Sequence, residues 1–249
     1  MQSIISKFIN LLMVLSLSAL LAACASEEKK TDTPEAAFTA AEELDKNERY
    51  DEAIAKYRDL RNRFPYSRFA TMAELAVADV YFKKKSYAEA QASYMSFKDL
   101  HPKHPRADYV TYQLGMSYYK QLPSTIDRDL SLAPSAMTFF EEVYKQFPNS
   151  EYAQLARDFH EEARKKLAAK EIYIADFYFI RKRWDSALNR YEGLLKEFPG
   201  LGFDEEALSK AALSAARNGD SDRARALFAE LNRKFPNSNR LRDVQREVQ

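Results

Sequence analysis

Tyr50-Asp-Glu-Ala-Ile-Ala-Lys-Tyr-Arg-Asp-Leu-Arg-Asn-Arg-Phe-Pro65 is the stretch that decides the fold. Its apolar residues Tyr50, Ala53, Tyr57, Leu60 and Phe64 fall at steps of three and four, which places them on one helix face, and Pro65 ends the helix. The same template recurs four times. It reads Tyr87, Ala90, Tyr94, Phe97, His101 and Pro102, then Ala136, Phe140, Val143, Phe147 and Pro148. It reads Trp184, Ala187, Tyr191, Leu194, Phe198 and Pro199, and last Ala224, Phe228, Leu231, Phe235 and Pro236. In every copy an Ala lies twelve residues before the Pro and an aromatic eight before it. A pattern held at three fixed positions in five copies identifies a helical repeat protein.

Each marked helix is preceded by another. Twenty-four residues before the Pro stand Ala41, Ala78, Ala175 and Ala212, and three further on Leu44, Tyr81, Tyr178 and Ala215. Gly115 and Tyr118 take these parts in the third copy. A small residue in the first helix lets the second approach closely, and the aromatic of the second fills the gap. This resembles the tetratricopeptide repeat: two helices, a tight turn between them, and a closing Pro. The expected fold is all-α, an α-solenoid of five helix pairs with a short capping helix after Pro236. Ser67, Ser150 and Ser238, two residues past a Pro, are expected N-caps, with His104-Pro105 in their place in the second copy.

Two departures from the regular spacing stand out. Gly115 to Ala136 exceeds the template by nine residues, an insertion within Gln121 to Pro134. Pro148 to Ala175 exceeds it by fourteen, close to four helical turns, so the buried face is preserved. Ser150 to about Lys182 has no Pro or Gly and is expected to be one extended helix, on the order of 45–50 Å long. Pro134 leaves two starts open for the helix after the insertion, Asp129 or Ala133.

At the N-terminus, Phe8 to Ala23 is an apolar run behind Lys7, too short to span a bilayer comfortably, and reads as a secretory signal over residues 1–23. Leu21-Ala22-Ala23-Cys24 resembles a bacterial lipobox; the alternative is ordinary cleavage at the A-x-A site Ala23-Cys24-Ala25. Cys24 is the only cysteine, so no internal disulfide forms, and lipidation gives it a reason to be there. Ala25 after the Cys, by resemblance to proteobacterial lipoproteins, implies sorting to the outer membrane. Residues 24–33 form a lipidated polar tether, and Thr33-Pro34-Glu35 reads as the start of the first helix. Repeats one to three then occupy 34–149; the long helix, repeats four and five and the cap occupy 150–249.

The composition narrows the function. Five Gly in 249 residues argues against glycine-rich phosphate loops and a turn-rich β fold, while 15 Tyr and 16 Phe supply a helical core. Formal net charge is +1, and the leader holds one cation, Lys7, so no basic excess calls for nucleic acid. His101, His104 and His160 have no Cys or acidic cluster at ligand spacing, and carboxylate pairs such as Glu141-Glu142 and Glu161-Glu162 read as solvated helix faces. No Walker, Rossmann, G-x-S-x-G or H-E-x-x-H pattern appears. An enzyme is not expected, nor a cofactor or metal.

The register sets inward-facing residues on the first helices: Phe38, Leu75, Phe82, Tyr109, Tyr112, Met116 and Tyr119. These apolar and aromatic residues would line a groove for an extended peptide rich in aromatic side chains, or else pack on the next repeat. Arg183, Arg190 and Glu197, spaced by seven, border the apolar stripe of the fourth repeat's second helix and are placed to meet a partner.

Thr125-Ile-Asp127-Arg128-Asp129 resembles the Asp-Arg-Asp loop of the BamD family of outer-membrane assembly lipoproteins. Ile172 to Gly200 is similar to that family's fourth repeat, and the likeness runs from about Phe38 to Pro236. The resemblance implies a lipid-anchored scaffold facing the periplasm. It would dock on the POTRA domains of the barrel subunit BamA beside other lipoproteins of that machine, and receive unfolded outer-membrane β-barrel proteins whose C-terminal strand ends in an aromatic. The resemblance places the BamA contact on the C-terminal repeats. The alternative is another periplasmic repeat lipoprotein, such as a pilotin for a secretin or type IV pilus.

Overall fold

The computed structural model describes residues 33–248. Cys24, the leader and nearly all of the tether lie outside them. The described residues form helices α1 (Pro34–Lys46), α2 (Tyr50–Arg63), α3 (Arg68–Lys83), α4 (Tyr87–Leu100), α5 (Ala107–Lys120) and α6 (Ala133–Gln146), followed by α7 (Tyr152–Ile180), α8 (Trp184–Glu197), α9 (Asp204–Arg217), α10 (Ser221–Lys234) and α11 (Leu241–Val248), with no strand among them. The chain divides into two compact units, residues 1–73 and 74–249, with the boundary inside α3.

The sequence template becomes five helices of 14 residues, α2, α4, α6, α8 and α10. Each closes the same way. The aromatic or His before the Pro leaves the helix with φ between −132° and −125° and ψ between 47° and 64°, its N–H still bonded to the carbonyl four residues back. The Pro that follows has no N–H to continue the ladder. The Ala twelve residues before the Pro is fully buried in all five.

The helices within a pair are joined by one turn used four times. Glu48, Lys85, Lys182 and Gly219 all have positive φ and all lie two residues before the second helix. The next N–H reaches back to the carbonyl of Leu44, Tyr81, Tyr178 or Ala215 at 2.9–3.0 Å, the six-to-one bond of a Schellman cap.

Thr33 is the side-chain cap of α1, while Ser150 and His104 stand one and two residues before the N-cap positions of α7 (Glu151) and α5 (Arg106) and bond to the amide two residues on. Thr33 Oγ1 accepts from Ala36 N at 3.2 Å, ahead of Pro34 in the first turn. Ser67, Ser150 and Ser238 each accept with Oγ from the amide two residues on, at 3.1–3.2 Å. His104 Nδ1 does the same for Arg106 N at 3.2 Å, so the imidazole does the work of the serine it replaces.

In the first unit Phe38 is buried against Tyr57 and Phe69, with ring centroids 5.3 and 5.8 Å away. In the second unit α4 packs on α5, and each helix from α5 to α10 packs on the next. The long helix is α7, 29 residues and about 43 Å, two residues short of the expected span at each end. Helix α6 begins at Ala133, with Pro134 in the first turn, where a missing N–H costs nothing. Gly115 packs against Phe140: a Cβ there would lie 2.9 Å from two atoms of its ring.

Candidate functional site

The first helices of the repeats carry the residues expected to line a groove. Leu75, Tyr112, Met116 and Tyr119 are buried, as is Phe38 in its own unit, whereas Phe82 and Tyr109 are half-buried. The reason is α7. Its first turns lie against α5, so Tyr112 stacks on Tyr152 with centroids 5.2 Å apart and planes 26° apart, and Tyr119 meets Phe159 edge-on at 5.2 Å. Burial and the carboxylate of Glu162 push the Tyr119 hydroxyl's pKa up. The accessible part of this wall is Tyr109 and Tyr152, 5.5 Å apart, with the Arg106 guanidinium 4.0 Å over the Tyr109 ring.

Behind Tyr109 sits a carboxylate that spacing did not single out. Asp79 Oδ1 accepts from Tyr94 Oη at 2.6 Å and Tyr109 Oη at 2.7 Å. Burial raises the Asp79 pKa, although both hydroxyls favour its charged form. Burial, then Asp79, raises the Tyr109 hydroxyl to about 12. The same register recurs in the fourth repeat. Asp176 Oδ1 accepts from Tyr191 Oη at 2.5 Å and from Lys210 Nζ at 2.7 Å, and Lys210 also reaches Glu206 at 2.6 Å. Both carboxylates stand 23 residues before a closing Pro, with the Tyr eight before it. That recurrence is the signal that could have found them.

The expected docking residues lie on α8 and the turn before it. Arg183 is the residue preceding α8, and Arg183, Arg190 and Glu197 are all exposed. Arg190 Nη1 pairs with Glu171 Oε2 of α7 at 3.0 Å, not with Glu197. Arg190 and Glu197 line an open cleft of about 470 Å³ between α7 and α8, with Glu171, Tyr178, Ser186, Asn189 and Gly193. Sequence reasoning missed Gly193. A Cβ built there meets nothing within 4 Å, so the chain's own packing does not ask for a glycine in the middle of this helix.

The Asp127–Asp129 loop is pinned to α7. Lys170 Nζ donates to the Arg128 carbonyl at 2.5 Å. Asp129 accepts from Ser131 N at 2.9 Å and Ser131 Oγ at 2.7 Å, bonds that hold its pKa below the usual range. A hydrogen bond from Thr125 lowers that of Asp127. Leu130 anchors the loop by burial, while Asp127, Arg128 and Asp129 remain exposed. Among the described residues no group of three or more His, Cys, Asp or Glu could hold a metal ion, and no helix is long and apolar enough to cross a membrane.

Comparison with known proteins gives the following. The model of the YfiO family, outer membrane lipoprotein, matches residues 30–214, and a tetratricopeptide repeat model matches residues 206–238. The chain is 28% identical over 246 residues to outer membrane protein assembly factor BamD of Neisseria meningitidis serogroup A, covering 92% of each chain. It is 29% identical over 238 residues to the protein of that name from Rickettsia prowazekii, covering 94% of this chain and 93% of that one. The Vibrio cholerae protein of the same name is 27% identical over 215 residues, covering 82% and 88%. Among solved structures, the TPR2AB-domain complex of yeast Sti1 aligns over 87% of this chain and 83% of its own, with 16% identity and a TM-score of 0.48.

Proposed function

The chain belongs to the YfiO family of outer membrane lipoproteins, and we propose that it is an assembly factor for outer-membrane proteins, built as a scaffold with two working surfaces. Its relatives along nearly the whole chain carry that name. In this reading Cys24 is acylated and holds the protein at the periplasmic face of the outer membrane.

The first surface is the α7–α8 cleft, which docks on the POTRA domains of BamA. The observation that carries it is Gly193. A glycine inside a helix costs roughly 0.5–1 kcal/mol relative to alanine, and here no internal contact requires it. The open space over it, flanked by Arg190, Glu171 and Glu197, suits the close approach of a partner's backbone. The half-exposed Arg190–Glu171 pair can exchange partners, so a carboxylate on BamA takes the guanidinium.

The second surface receives substrate. Tyr109 and Tyr152 offer aromatic faces to the aromatic that ends a barrel protein's C-terminal strand, and Arg106 supplies a cation for its carboxylate. Phe82 extends that surface, and Leu75, Tyr112, Met116 and Tyr119 form the wall behind it. Other lipoproteins of the machine are expected beside it.

One experiment tests the docking half. Gly193→Ala should raise the melting temperature of the free protein by a few degrees and yet weaken BamA co-purification, while Arg190→Glu weakens it sharply with the melting temperature unchanged. If both variants retain BamA as wild type does, the docking face lies elsewhere.

A further inference from the structure

Most exposed large apolar side chains of this protein, such as Tyr66 and Leu100, stand singly. Three do not. Tyr173, Phe177 and Ile180 are 52%, 45% and 75% exposed, and they follow one another on α7 at steps of four and three. With Tyr173 at zero, Phe177 lies at about 40° and Ile180 at about −20°, one continuous stripe. Glu171 and Tyr178 of the docking cleft fall at about 160° and 140°, on the opposite side of the helix. The stripe therefore faces away from that cleft and adjoins it only where the Phe177 ring meets Tyr178 edge-on, centroids 5.5 Å apart.

Its ends carry opposite charge. At the N-terminal end Lys170 ties down the Asp127–Asp129 loop, whose two carboxylates are exposed. At the C-terminal end stand Arg181 and Lys182, both exposed. The Arg181 guanidinium lies 3.5 Å over the Phe177 ring and donates to the Phe177 carbonyl at 3.2 Å. From Lys170 to Arg181 the helix rises about 16 Å.

We propose that this stripe docks a short amphipathic helix of a partner protein, antiparallel to α7, with an acidic first turn against Arg181 and Lys182 and a basic last turn against Asp127 and Asp129. The orientation follows from charge. Acidic residues also favour the N-terminus of the incoming helix and basic ones its C-terminus, so macrodipole and surface charge agree in one direction and conflict in the other. The apolar length matches a helix presenting three residues at i, i+4 and i+7. Size decides against a second copy of this chain. Half of an aromatic side chain exposes about 100 Å², so the stripe offers on the order of 300 Å², well below the roughly 800 Å² per partner of a stable interface. An anionic lipid surface would meet the repulsion of Asp127 and Asp129.

The probes are two stapled 14-residue helices with Leu at positions 4, 8 and 11. One has Glu in its first turn and Lys in its last, and the other has these reversed. The acid-first helix should bind the full mature chain at least about tenfold tighter. Phe177→Asp should abolish binding of both with helicity retained, and Tyr173→Glu serves if that variant is unstable. Asp127→Lys with Asp129→Lys should erase the preference. Equal binding of the two helices, binding of neither, or a preference untouched by Phe177→Asp overturns the proposal. So does concentration-dependent self-association lost in Phe177→Asp, which would assign the stripe to a second copy. Phe177-dependent binding to phosphatidylglycerol vesicles overturns it in favour of a lipid surface.

Discussion

Asp79 and Asp176 occupy one register of the repeat among different neighbours. Each accepts a hydrogen bond from the tyrosine 15 residues on. Asp176 also has Lys210, whose ammonium loses hydration by burial but is held charged by Asp176 and Glu206, so that its pKa is raised. Asp79 has a second hydroxyl instead, Tyr109, and burial raises its pKa. A carboxyl whose folded pKa is raised binds its proton more readily in the native state than in the unfolded one. Its contribution therefore weakens the fold as pH rises from the ordinary carboxylate range through the raised value. Asp79→Asn, which keeps an acceptor for both hydroxyls, should flatten that part of the stability–pH profile and leave neutral-pH stability equal or higher. Asp176→Asn removes a charge-assisted bond and should cost about 1–2 kcal/mol. Denaturant melts between pH 4 and 8 check both. Gly115 gives a second prediction at this scale. Its missing Cβ is where the Phe140 ring sits, and that ring is fully buried and stacked on Phe159. Gly115→Ala gains up to about 1 kcal/mol of helix propensity and loses about 1–3 kcal/mol to overpacking. A net loss in melting temperature is expected, relieved by Phe140→Leu.

The element that organises the second unit is α7, and its two halves serve different cores. Ala156 and Ala163 lie buried with Tyr112, Phe140 and Val143, whereas Ala175 lies with Tyr191, Leu194 and Ala212. Azimuth along this helix must therefore be kept. One alanine inserted after Lys170 turns the second half by about 100°, aims Ala175 away from α8 and exposes a polar face to the core. A seven-residue insertion turns it by about −20° and keeps both faces seated. The single insertion should lower the melting temperature far more than the sevenfold one, a ranking that calorimetry reads directly; the reverse order would mean that translation along the axis, not rotation, is the constraint. Such rotations are legible in sequence, which is why the fourteen-residue excess announced this helix and the recurring Phe-Pro or His-Pro announced the ends of α2, α4, α6, α8 and α10. The turns were less legible. Gly219 signals its positive φ, but Glu48, Lys85 and Lys182 adopt the same conformation with side chains that carry no such signal. Contacts between helices were legible least. Spacing put Arg190 next to Glu197 on one border, yet the guanidinium crosses to Glu171 on α7. Spacing also aimed Tyr112 and Tyr119 inward, but only packing shows that Tyr152 and Phe159 of α7 cover them.

At the scale of the whole molecule, the proposed anchor and the proposed docking surface are separable. Repeat proteins hold together through nearest-neighbour contacts, so a change at Cys24 leaves the helix pairs as they are. The nine residues from Ala25 to Thr33 reach at most about 30 Å, so an acylated Cys24 confines the protein to a thin layer beside the membrane and raises the effective concentration of any partner held there. Acylation with more than one chain gives firm attachment, and net charge near zero adds little attraction to anionic lipid. Cys24→Ala should therefore keep its melting temperature and its wild-type affinity for isolated BamA POTRA domains in solution, and should move into the soluble fraction once BamA is depleted. Arg190→Glu should do the opposite, staying with the outer membrane while losing that affinity. Raised expression should restore function to Cys24→Ala, because mass action substitutes for confinement, and should not restore it to Arg190→Glu. Fractionation in cells depleted of BamA decides the point: retention of Cys24→Ala in the outer-membrane fraction there would show an attachment that neither the lipid nor the docking cleft provides.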